Sequence, residues 1–132
     1  MIGVDTNLLA RLFVDDDPSQ QEIAGAFFAR RSLDDPAYVS LVVVAEFVWL
    51  LGKTYDYSKQ SIALALTALL ESPDFVIEGR NLVEEALRMS EQPKVGIVDV
   101  LISRIAMRDG CVAVATFDKQ AAKRVPGMEL LA

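Results

Sequence analysis

An α/β fold built on a mostly parallel sheet is the class this sequence predicts, and three observations carry the prediction. Short apolar runs that read as strands alternate along the chain with longer segments of helical periodicity. At 132 residues, 52% apolar and 24% charged, the chain has the profile of one soluble globular domain, residues 1–132, with a sizeable core. No internal repeat, low-complexity tract or linker interrupts it.

Ile2 to Val4 reads as a short buried strand, followed by a helix through LLARLF, residues 8–13. Asp15-Asp16-Asp17-Pro18 is punctuation: Asp17 suits an N-cap and Pro18 the first helical position of a helix through residues 19–31. Asp34-Asp35-Pro36 is a turn, and AYVS, residues 37–40, is a second strand. LVVVAEFVWLLGK, residues 41–53, reads as a helix buried nearly all round, and residues 58–72 as another helix. FVIE, residues 75–78, is a third strand, and NLVEEALRMSEQ, residues 81–92, an amphipathic helix ending near Pro93. A further helix through residues 98–110 stops at Gly110, and CVAVATF, residues 111–117, is a fourth strand. DKQAAKRV makes a short last helix, and MELLA, residues 128–132, an edge strand.

What is missing narrows the chemistry. There is no histidine, which removes Ser-His and Cys-His nucleophile systems and imidazole metal ligands. With Cys111 the only cysteine, a Cys/His zinc site is ruled out. Cys111 itself is expected in the core, since free cysteine is usually buried. Any metal here must be a hard cation held by oxygen. The net charge of −6 argues against binding nucleic acid through a broad basic surface, but a divalent ion reverses the sign of an acidic cleft locally. No run is long and apolar enough for a membrane span, MIGVD lacks an export signal, and single-cysteine usage fits a reducing cytoplasm.

Four acids keep apolar company. Asp5 is the only charge in residues 1–10, Glu46 in residues 40–51 and Asp99 in residues 95–103. Asp118 follows the eight-residue uncharged run GCVAVATF. Glu46 has no basic neighbour at helical spacing, so it is expected to point inward or into a cleft; the bland alternative is a neutral or solvent-facing Glu. Asp5, Asp99 and Asp118 are each as readily helix caps. Taken together, acids at strand ends and helix starts of a parallel sheet gather at one edge, where a divalent cation offsets their repulsion. Such a cation acidifies water and stabilises phosphate charge, which suits phosphodiester hydrolysis without histidine. Thr6, Asn7, Ser40 and Thr116 flank the acids and offer hydrogen bonds to them or to phosphate, or serve as caps and turns.

VDTNLLARLF, SLVVVAEFVWLL, VDVLISRIAMRDG and ATFDKQAAKRVPGMELL together resemble the PIN-domain ribonucleases, and within them the VapC-type toxins of bacterial toxin–antitoxin pairs. The resemblance covers essentially the whole chain. It implies a three-layer α/β/α sandwich with a central mostly parallel sheet of four to five strands. It implies a metal-dependent endoribonuclease cutting single-stranded or loop RNA, such as a tRNA or ribosomal RNA loop. Asp5, Glu46 and Asp99 match the family's three core acids and Asp118 the position after the last inner strand; in similar proteins these hold Mg²⁺ or Mn²⁺. Many relatives carry another acid where this chain has Gly96, which leaves the second metal open. The resemblance further implies a homodimer neutralised by a VapB-type antitoxin whose arginine reaches the acids. Phe13, Phe27, Phe28, Phe47 and Trp49 are candidates for the groove or interface, or for the core. Arg11, Lys53, Arg80 and Lys94 are candidates for RNA phosphate, though any one of them is as readily a residue of a solvated face. A non-catalytic RNA- or protein-binding PIN-like module is the alternative, kept open by Gly96. A phosphoacceptor receiver is a remote third reading, because paired acids after the first strand are missing.

Overall fold

Residues 1–131 are described by a computed structural model, and they divide between Arg80 and Asn81 into two units. In the first, β1 (Ile2–Gly3), β2 (Ala37–Val39) and β3 (Phe75–Ile77) pair in parallel in the order β1-β2-β3. Ile2 stands opposite Ala37 and Tyr38 opposite Val76. The strand alternation follows from this order: Ala37 and Val39 of the central strand are fully buried, whereas Ile2, on the edge, is 44% exposed. The expected buried first strand is therefore an edge strand, and its buried residue is Val4, just beyond it.

The helices of this unit start where the sequence places them. Asp17 accepts from the Gln20 amide at 3.1 Å and Pro18 opens α2 (Pro18–Ala29). Ser58 Oγ accepts from the Ser61 amide and opens α4 (Lys59–Glu71). α1 (Thr6–Ala10) and α3 (Leu41–Lys53) supply Leu9, Val44, Phe47 and Leu51 to the core. Phe13 packs edge-on against Phe47 with centroids 5.4 Å apart, and Phe28 lies against both Phe27 and Phe75. Four of the five candidate aromatics thus pack against other rings or in the core, and Trp49 alone is exposed, at 61%. α3 is not buried all round: Val42 and Trp49, seven residues apart, lie on an exposed stripe of the helix.

The second unit carries α5 (Arg80–Met89) from its second residue on, α6 (Ile97–Arg108), β4 (Val114–Thr116), α7 (Lys119–Arg124) and β5 (Met128–Leu130). β4 and β5 pair in parallel, Val114 opposite Met128 and Thr116 opposite Leu130. The predicted last strand is present as β5; Ala132, at the end of MELLA, lies outside the described residues. Val83, Ala86, Val100, Leu101, Ala121 and Val125 are buried. The chain turns into β5 through Gly127 at φ +92°, where Ser103 Oγ, fully buried, donates to the Pro126 carbonyl at 2.7 Å. Cys111, expected in the core, is exposed, because it lies in the loop after Gly110 and ahead of β4. The five strands among the described residues are parallel wherever they pair, in ladders of three and two. The class is α/β.

Candidate metal and catalytic site

In the first unit, Asp5 follows β1 and caps α1. Its Oδ1 accepts from the Leu8 amide at 2.9 Å, which holds the carboxylate in place and leaves Oδ2 outside the cap. Thr6, the first residue of α1, donates from Oγ1 to Glu46 Oε1 at 3.0 Å. Consecutive residues thus carry one acid and tether another. α3 is held for this at its N-terminus: Ser40 Oγ accepts from the Val43 amide at 3.2 Å, and Glu78 Oε1 from the Leu41 amide at 2.8 Å. Glu78 is a cap that no local pattern announces, since it lies 37 residues from the helix end it closes.

Glu46 does not point inward. Its side chain is exposed, at helical spacing from the exposed Val42 and Trp49, and the Thr6 hydroxyl rather than burial fixes it. The cause is the rotation of α3: Leu41, Val44, Phe47 and Leu51 take the buried face, which leaves Glu46 on the other. Asn7 is exposed and lines a hollow of about 330 Å³ with Leu8, Ile23 and Ala24. Arg11, a candidate for RNA phosphate or a solvated face, is ion-paired with Asp16, whose other oxygen accepts from the Tyr55 hydroxyl at 2.9 Å. The Tyr55 hydrogen bond and the Arg11 guanidinium hold the Asp16 carboxyl below the usual carboxylate range. One aspartate of the triple run is thereby a tertiary tie as well as punctuation.

In the second unit, Asp118 follows β4 and caps α7, accepting at Oδ1 from the Gln120 and Ala121 amides at 2.9 and 3.0 Å. Thr116 Oγ1 accepts in turn from the Asp118 amide at 3.0 Å, fixing the turn between strand and helix. Asp99 is not a cap. α6 starts three residues earlier than an Asp99 cap would place it, with Gly96 as N-cap and no side chain serving that role. Asp99 therefore sits in the first turn, half-buried, with its carboxylate lying back toward Gly96: a Cβ at Gly96 would stand 3.3 Å from Asp99 Oδ2.

Burial, and then the negative charge of Asp118, push the Asp99 carboxyl above its ordinary value. No cationic side chain offsets these two effects at Asp99. Two mutually repelling carboxylates, both hard oxygen donors, fit a hard divalent cation. Each unit gathers two of the four candidate acids. Among the described residues, no group of three or more acid or thiol side chains is arranged to hold a metal ion.

The order of these features along the chain has a match among known families. A family model described as the PIN domain matches residues 2–127, which runs through both units. The chain belongs to the PIN-domain family. PIN domains are α/β proteins of nuclease-type fold, commonly nucleases and typically users of divalent metal ions. Among the described residues, seven helices and parallel strands are consistent with the family's three-layer α/β/α sandwich. A search of curated proteins finds no significant match. Among the described residues, no helix of this PIN domain is long and apolar enough to cross a membrane.

The two aspartate caps give a way to separate fold from chemistry. Asparagine caps a helix about as well as aspartate, whereas alanine costs about 1 kcal/mol. Asp118→Asn is therefore expected to melt close to wild type and Asp118→Ala several degrees lower, by thermal denaturation at one pH. Equal melting of the two variants would contradict the cap read here.

Proposed function

We propose that this PIN domain is an Mg²⁺- or Mn²⁺-dependent endoribonuclease acting on single-stranded or loop RNA. The observation that carries the reading is the half-buried Asp99 carboxylate, held above its ordinary value by burial and by the Asp118 charge, within a chain that matches the PIN domain over residues 2–127. Asp99 and Asp118 would hold the metal, with Asp5 and Glu46 assigned on the resemblance to the family's core acids. A divalent cation among carboxylates offsets phosphate charge and makes water a better nucleophile. The protein's own part is positional. Backbone amides fix Oδ1 of Asp5 and of Asp118 and so hold both carboxylates in place, and each would offer oxygen to a divalent cation. The Thr6 hydroxyl orients Glu46, and Thr116 holds the backbone that presents Asp118.

The biological setting belongs to the same proposal: a cytoplasmic VapC-type toxin, homodimeric and neutralised by a cognate VapB-type antitoxin. Exposed Val42 and Trp49 beside Glu46 support a protein partner, because they offer an apolar seat next to a carboxylate that an arginine can pair with in a fork.

Calorimetric titration with Mn²⁺ tests the metal directly. Saturable binding that weakens at least tenfold in Asp99→Asn is the expected result. No binding to folded wild-type protein, with RNA binding intact, would overturn the nuclease reading in favour of a non-catalytic module. Gly96, which contributes no carboxylate at the start of α6, is the observation that favours that second reading.

A further inference from the structure

One concave patch of this acidic chain is basic, and nothing in the chemistry of the four acids uses it. In the second unit, Arg88 from the last turn of α5 and Lys123 and Arg124 from the last turn of α7 line a hollow of about 470 Å³. None of its lining residues is acidic. All three cations are exposed, and among the described residues none of them has an ion-pair partner. Met89, Val95 and Pro126 give the hollow an apolar lining beside the charges, and Val95 is almost fully buried. The chain carries 13 Lys and Arg against 19 Asp and Glu, so three unpaired cations converging on one hollow depart from its average.

We infer that this hollow is a phosphate-binding site that anchors the RNA strand away from the carboxylates. The inference rests on the ribonuclease reading for the identity of the strand, but not for the presence of an anion site. Two guanidinium groups and an ammonium suit phosphate oxygens, the guanidinium through paired hydrogen bonds. The apolar lining suits a sugar or base face, which an isolated inorganic anion would not use. Position supports the same ligand. Asp118 caps the start of α7 and Lys123 lies in its last turn, so hollow and acid are separated by roughly 8 Å of helix rise. A strand held at one end of α7 by cations passes the acid at the other. In a chain of net charge −6, a local basic anchor also explains how a polyanion is retained.

The competing role for these side chains is complementing the dipoles of α5 and α7 at their C-termini, which affects stability and not binding. Fluorescence anisotropy with a labelled single-stranded RNA oligonucleotide, in EDTA so that no cleavage occurs, separates the two. It would be run from low to moderate salt on wild type, on Arg88→Gln/Lys123→Gln/Arg124→Gln, and on each single substitution. Expected is a loss of at least tenfold in affinity for the triple variant. The slope of log K against log salt should fall by about 2, at roughly 0.7 per lost phosphate contact. The single variants, each at an exposed side chain, should lower the slope stepwise. Unchanged affinity and slope, with or without a lower melting temperature, would overturn the anchor, as would a wild type that binds no RNA at low salt. So would loss of binding to a polyglutamate peptide alone, which would assign the hollow to an acidic protein segment. Wild-type protein that shows the expected binding yet never cuts RNA with Mg²⁺ or Mn²⁺ sinks the nuclease reading and leaves the anchor standing.

Discussion

Asp99→Asn is expected to abolish RNA cleavage, by at least about a hundredfold, while raising the melting temperature at neutral pH. The two effects have one origin. Burial and the neighbouring Asp118 disfavour the charged form of Asp99, so its carboxyl titrates above its ordinary value in the folded protein. A group whose acid form is favoured by folding costs stability wherever the unfolded chain is ionised, and that cost disappears once both states are protonated. The penalty is therefore present at neutral pH and fades as the pH falls below the ordinary aspartate value, roughly 4. Asparagine removes the charge without removing the side chain, so the variant should melt a few degrees higher at pH 7 and level with wild type in acid. Melting curves at the two pH values check the sign. A variant less stable than wild type at pH 7 would mean that the charge is compensated after all.

Gly127→Ala is expected to destabilise the second unit by about 3 kcal/mol, combining left-handed backbone strain with overpacking. The residue sits at φ +92°, and a Cβ there would come within 2.6 Å of Met107 Cε and 2.7 Å of Ser103 Oγ. Met107 can swing aside, but Ser103 cannot do so cheaply: it is fully buried and its hydroxyl is bonded to the Pro126 carbonyl. Chemical denaturation should show a lower midpoint, and Met107→Ala in the same background should recover only part of the loss, since the strained backbone and Ser103 remain. A Gly127→Ala protein as stable as wild type would contradict the packing described for this turn.

Local signals in the sequence were faithful where the structure they encode is local. Asp5, Asp17 and Asp118 each cap the helix that the pattern of polar residue and apolar run predicted. Pro18 and Gly110 stand at the start and beyond the end of helices, as their backbone preferences require. The limits appear wherever a tertiary neighbour decides. The apolarity of its helix points Glu46 inward or into a cleft, with a solvent-facing Glu as the alternative; it is exposed, because the rotation of α3 is set by the four residues that meet the core, and composition does not encode that rotation. α6 starts at Ile97 because a glycine can serve as N-cap without a side chain, so Asp99, the better capping residue by type, falls inside the helix. Arg11 is drawn to Asp16 and Tyr55, and the Tyr55 contact spans 39 residues that no periodicity links.

The candidate site shows the same division. The four acids stood out by their isolation in apolar runs, and that signal needed no neighbours. The basic hollow did not stand out, since Arg88, Lys123 and Arg124 lie in two separate polar segments and each reads as a solvated helix residue. Spacing offered one hint: all three fall in the last turn of a helix.

Cleavage of single-stranded RNA by purified protein, stripped with EDTA and then resupplied with Mg²⁺ or Mn²⁺, tests the proposed chemistry most directly. Wild type is predicted to be silent in EDTA, to cut on addition of either metal, and to lose that response in Asp99→Asn, which remains folded. Equal cutting in EDTA, or an Asp99→Asn protein that cuts as well as wild type, would contradict it.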